Sequence, residues 1–200
     1  MQTKKGFTLL ELLIVIGILA ILSTTVILVI NPAQLLKKAR DSQRISDLNT
    51  VKTAIAYYIT ETASPSMGIV AQTYSDVISV NCTGHAAAAT TTALTTGGAG
   101  WIPINFDGMT GGSPIGSLPS DPNPTVFGAN PGRYYTYLVA NVTNFTFLLT
   151  ANMESTYYSN GQTGDVESKD GGLIAGLYEV GTGMDTLATT SATCYAGTGE

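Results

Sequence analysis

From Phe7 to Ile30 the chain runs through 24 residues, FTLLELLIVIGILAILSTTVILVI, with one ionisable side chain, Glu11. As a helix rising about 1.5 Å per residue, the run reaches roughly 36 Å. That is enough to cross a hydrocarbon core of about 30 Å. A carboxylate in such a segment is costly and calls for a partner, a positive one above all. The 200 residues, less a short head and a long helix, leave about 140 for one small globular domain.

Lys4 and Lys5 form a short charged head that ends at Gly6. No small-residue cleavage site of the secretory kind follows the apolar run. The string K-G-F-T-L-L-E resembles the processing site of type IV prepilins and of the related type II secretion pseudopilins. The resemblance implies that a prepilin peptidase cuts between Gly6 and Phe7 and methylates the new N-terminus, making Phe7 an N-methylphenylalanine. The apolar segment then stays in the mature protein. The reading that competes with this one is a plain uncleaved anchor.

Cleavage creates an ammonium at Phe7, four residues before Glu11. An i,i+4 pair shares a helical face, and the positive end of the helix dipole favours an acid in the first turn. In a lone subunit Glu11 pairs with its own amine or snorkels to the headgroups. In a filament the family resemblance implies that it meets the amine of a neighbouring subunit and sets axial register, an attraction strengthened by a low-dielectric helical bundle. The bland alternative is an acid that merely sits near the interface.

The net charge is −5, and losing Lys4 and Lys5 takes the side chains to −7. After Lys52 the basic residues are Arg133 and Lys169. The exposed head is therefore expected to be acidic, which argues against direct nucleic-acid binding by the isolated head. Lys37, Lys38, Arg40, Arg44 and Lys52 crowd just beyond the apolar run. A positive-inside count would put that side in the cytoplasm, whereas the leader resemblance implies the N-terminus inside and the head outside.

Residues 31–63 read as an amphipathic continuation of the helix, with Leu35, Ala39, Ile45, Leu48, Val51, Ile55 and Ile59 recurring at threes and fours. Asn31-Pro32 fits either an N-cap with proline at the first helical position or a kink. Related pilins lose helical order in part of this region on assembly, which makes Gly17 to Pro32 the candidate. Beyond Pro65 the chain turns to Gly, Thr, Ser, Asn and Pro. Tyr74 to Val80 is a helical turn or a strand. Thr83 to Gly100 is low in complexity and expected as an exposed loop, and Trp101 to Ile104 as a short edge strand. The clearest strands are Arg133 to Val139 and Phe145 to Ala151, with Leu173 to Val180 as another. The segment Leu118 to Tyr137, LPSDPNPTVFGANPGRYYTY, resembles the Pro-rich loop and following strand of major pseudopilins, and FLLTANMES and LYEVGTG continue the likeness.

Cys82 and Cys194 are 112 positions apart. In a head outside the cytoplasmic membrane a disulfide persists, and one closing so long a loop stabilises by about 4–5 kcal/mol in the chain-entropy model. A bond is favoured over free thiols. Asp165, Glu167 and Asp170 are spaced to offer oxygen ligands to calcium, but they lack an EF-hand pattern, and a solvated acidic turn is the simpler reading. His85 is read as a bystander in an Ala/Thr loop. Three glycosylation sequons begin at Asn81, Asn141 and Asn144, as an Asn/Thr-rich composition would give by itself. No cofactor is expected, and no catalytic set is visible.

The expected architecture is α+β: leader 1–6, transmembrane and assembly helix 7–30, amphipathic continuation 31–63, and an antiparallel β head over 64–200. The resemblance implies a non-enzymatic subunit of a type IV pilus-like filament. It is held in the cytoplasmic membrane by lipid before assembly, cut by prepilin peptidase, and lifted by an inner-membrane assembly platform into a helical polymer of itself at the cell surface. The alternative is a pseudopilin forming a short periplasmic piston in a secretion or competence system. A membrane-anchored enzyme is the remote third.

Overall fold

The computed structural model describes residues 6–70, 72–76, 86–124, 133–172 and 174–182. Two helices lead. Helix α1 spans Leu9–Ile30, and helix α2 spans Pro32–Glu61. They meet at Asn31, whose φ of 44° puts it in the left-handed region, where asparagine is tolerated better than most residues. The same residue ends α1 and caps α2, its side chain accepting from the Gln34 N–H, with Pro32 at the first helical position. Of the two readings of Asn31-Pro32, the N-cap is the one observed.

Within α1 no residue from Leu9 to Val26 is buried. Its polar side chains turn back onto the helix. Ser23 donates to the Leu19 carbonyl at 2.7 Å, Thr24 to that of Ile21 at 2.8 Å, and Thr25 to that of Leu22 at 2.8 Å. Each hydroxyl is thereby satisfied without water, and the Gly17 to Pro32 region stays helical as far as Ile30.

Five strands follow: β1 (Gln72–Ser75), β2 (Ala86–Thr90), β3 (Thr136–Asn141), β4 (Thr146–Ala151) and β5 (Tyr178–Gly181). They form one sheet in the order β2-β1-β3-β4-β5. The run β1-β3-β4-β5 is antiparallel throughout, and β2 adds a parallel edge beside β1. This is the α+β arrangement expected from the sequence. The β3–β4 hairpin turns on Asn141, whose side chain accepts from the Thr143 and Asn144 N–H groups, a local bond that substitutes for a backbone turn.

Helix α2 lies on β4 and β5. Leu48, Val51, Ile55 and Tyr58 meet Tyr137, Phe147, Leu149 and Val180 in the main core. Leu35 and Ala39 depart from the stripe read in the sequence: both are exposed. The stripe is continuous in the sequence, but the head covers only its later turns.

The region 86–124 also departs from expectation. Part of the low-complexity stretch, Ala86–Thr90, is strand β2. Trp101 to Ile104 form no strand; Trp101, Ile102 and Ile104 are wholly buried. The Trp101 indole donates to the Pro119 carbonyl at 2.8 Å, and its ring lies 6.2 Å from that of Tyr135. Gly100 is required here, because a Cβ would stand 2.2 Å from the Thr95 carbonyl oxygen. A glycine-rich, featureless string thus folds by close backbone approach, which periodicity does not reveal.

Candidate functional site

At the N-terminal end, Gly6, Phe7 and Thr8 precede the helix and are exposed, Phe7 to 84%. The peptide bond between Gly6 and Phe7 is therefore open to an enzyme. Thr8 is extended (φ −84°, ψ 152°) and caps α1 through a reciprocal box with Glu11. The Glu11 N–H donates to the Thr8 hydroxyl at 3.2 Å, while the Thr8 N–H and hydroxyl each donate to Glu11 Oε2 at 2.9 Å. Two orphan amides of the helix start are satisfied this way. In the uncut chain the Phe7 nitrogen is an amide, and Thr8 serves the carboxylate. Thr8 was not singled out from sequence, although T-x-x-E before an apolar run is a legible capping signature.

A second constellation joins the head to α2. Arg44 is wholly buried and makes a bidentate pair with Asp121, Nε to Oδ2 and Nη2 to Oδ1, both at 2.7 Å. Its Nη1 reaches Asp41 at 2.7 Å and Glu154 at 3.5 Å. Arg40 holds Glu154 with a second bidentate pair, at 2.8 and 2.6 Å. Asp41 also accepts the N–H groups of Glu154 and Ser155, at 2.8 and 2.7 Å. Burial opposes the Arg44 charge, but the hydrogen bonds and charges of Asp121 and Asp41 outweigh it and raise its pKa. The hydrogen bond from Arg40 holds the Glu154 carboxyl below its ordinary value.

Beneath this cluster Asp76 accepts from the Asp121 N–H at 2.8 Å and the Tyr135 N–H at 2.9 Å. Burial pushes its carboxyl up to about 7 despite those two donors. The cluster ties α2, the Pro-rich loop, the end of β1 and the chain after β4 into one unit. Sequence reasoning missed it. The signal was present, since Asp41 and Arg44 fall on the apolar stripe, seven and four residues before Leu48.

The acidic turn is also built inward. Asp165 accepts from Gly161 N–H (2.9 Å), Ser168 N–H (3.0 Å) and the Ser168 hydroxyl (2.5 Å). Hydrogen bonding from Ser168 holds its carboxyl down at about 2. Glu167 takes the N–H groups of Met153 and Asn160, and Asp170 those of Gly172 and Glu179. These carboxylates therefore face donors, and among the described residues no three acidic, histidine or cysteine side chains gather as a metal site. Cys82, Cys194 and His85 lie outside the described residues.

The carboxylates that make the head acidic lie mostly beneath its surface. Asp41, Asp76, Asp121, Asp165, Glu167 and Glu179 are buried. In the head and α2, only Glu61 and Asp107 among the described acids are exposed. The carboxylates serve as acceptors for backbone amides and arginines, a use that composition cannot distinguish from solvation.

Residues 1–27 match a family model described as the prokaryotic N-terminal methylation motif. No curated protein and no solved structure matches the chain.

Proposed function

Because the chain begins with the methylation motif of the type IV pilin and pseudopilin family, we propose that it is a structural subunit that polymerises into a type IV pilus-like filament. The observation that carries this reading is the pairing of an exposed Gly6–Phe7 bond with a helix that has no buried residue from Leu9 to Val26. A helix of that composition has two environments that suit it, a bilayer before assembly and a bundle of its own kind afterwards. Prepilin peptidase cuts at Gly6 and methylates Phe7, and the assembly platform lifts the subunit from the membrane.

The new ammonium at Phe7 alters the position of Glu11. Inside one subunit the acid exchanges Thr8 for a charge; between subunits it finds the amine of a neighbour and fixes their axial offset. Hydrophobic packing of the α1 helices drives the polymer, and the charge pair sets its register. Filament building, not catalysis, is the role assigned to the chain.

The decisive experiment is Glu11→Ala. Membrane insertion and leader cleavage should persist while filament yield falls by an order of magnitude or more; unchanged filaments would sink the role given to Glu11. A bulky residue in place of Gly6 should leave a precursor heavier by the six-residue leader. Electron microscopy with an antibody to the head distinguishes a long surface fibre from a short periplasmic piston.

A further inference from the structure

The first turns of α2 differ from the rest of that helix. Leu35 and Leu36 are 53% and 61% exposed. They extend the bare apolar surface of α1 by more than a turn past Ile30. Lys37 and Lys38 come next, and among the described residues neither makes an ion pair with an acid. The Lys38 ammonium instead stands 3.4 Å from the centroid of the Tyr157 ring, which is itself 38% exposed. One turn further on the pattern reverses, with Arg40 and Arg44 engaged by the acids of the head. The cations nearest α1 thus have no acid as counter-ion among the described residues, and those beyond them do.

Position supplies the identity of that partner. Leu36 is six residues past Ile30, about 9 Å of helical rise. A bilayer carries a polar layer of roughly 5–7 Å on each side of its hydrocarbon core. Paired leucines, paired lysines and a tyrosine just beyond that layer suit contact with headgroups from the water side. The long, flexible stems of the lysines bend back so that their ammonium groups meet phosphates, beside an amphipathic ring of the kind found at membrane interfaces.

We propose that Leu35, Leu36, Lys37, Lys38 and Tyr157 form a collar that binds anionic phospholipid headgroups on the head's side of the membrane. The collar rests on the reading that α1 spans the bilayer. It also gives a physical role to basic residues placed on the side that a positive-inside count would not choose. A cation near an anionic surface gains enough attraction to shift its occupancy about fivefold. The collar therefore steadies the waiting subunit and must be released when the subunit is lifted out.

The test uses the full chain in nanodiscs of phosphatidylcholine, with or without phosphatidylglycerol, pulsed with an acetylating reagent and read lysine by lysine by mass spectrometry. Lys37 and Lys38 should label about fivefold more slowly when phosphatidylglycerol is present. Lys169, exposed on the head, should label equally in both. A firmly inserted chain with equal labelling at Lys37 and Lys38, or with Lys169 slowed to the same degree, overturns the collar alone. Protection that follows the number of chains per disc and not the lipid would assign these lysines to a neighbour's acids, and overturns it too. A chain that alkaline carbonate strips from the discs overturns the spanning reading and the collar with it.

Discussion

Arg44 carries the heaviest consequences of any single side chain in the head. Its guanidinium sits among Asp41, Asp121 and Glu154 with no exposed surface. Truncating one member of a buried charge cluster leaves the others uncompensated, at about 3–5 kcal/mol. Arg44→Met should therefore lower the unfolding free energy by that amount, followed through the fluorescence of Trp101, the single tryptophan. Arg44→Lys should recover only part of the loss, because an ammonium cannot hold Asp121 with two parallel bonds.

Asp76 gives a pH dependence of opposite sign to that of Glu154 and Asp165. Its folded value near 7 lies above an unfolded value of about 3.9. Between those limits the folded state binds more protons, so stability falls as pH rises. Glu154 and Asp165 have lowered folded values. Their contribution is complete above the unfolded pKa and fades as pH drops towards the folded one. The head should be most stable at about pH 4–5 and lose stability towards neutrality. Melting curves of Asp76→Asn across that range should show a shallower decline, the remainder coming from Asp47, Glu167 and Asp170, whose carboxyls burial also raises.

At the level of elements, the β4–β5 seam has a specific weak point. A Cβ on Gly181 would stand 2.1 Å from the Phe147 carbonyl oxygen, backbone that cannot step aside. Gly181→Ala should cost about 1–3 kcal/mol and raise amide exchange in Tyr178–Gly181 more than in β3. Helix α1 was legible as an apolar run, α2 because its burial follows a period of 3.6, and β3 and β4 because they are β-branched and aromatic. Strand β2 was not, since four consecutive alanines carry no alternation. The segment around Trp101 was misread as a strand because Pro103 and its apolar flanks satisfy a strand pattern while packing as irregular chain. The assembly end was read from Gly6, Phe7 and Glu11, whereas the ion cluster depends on residues brought from Asp41 to Glu154, a separation that no local motif encodes.

For the whole molecule, the helices and head divide the labour. Helix α1 supplies the surface that must leave water, and Asn31 ends it while capping α2. Filaments of Glu11→Ala, if any form, should show poorer axial order by helical diffraction than wild type, since packing alone does not select one offset.

The inward-turned carboxylates have a consequence for crowding. In the proposed filament identical heads pack side by side, and like charges on their flanks would push one another apart. Here most described acids of the head are already engaged with amides or arginines beneath the surface. In the proposed filament neighbouring heads would then bring few bare carboxylates into direct contact, and the repulsion left between them is that of the chain's net negative charge, which salt screens.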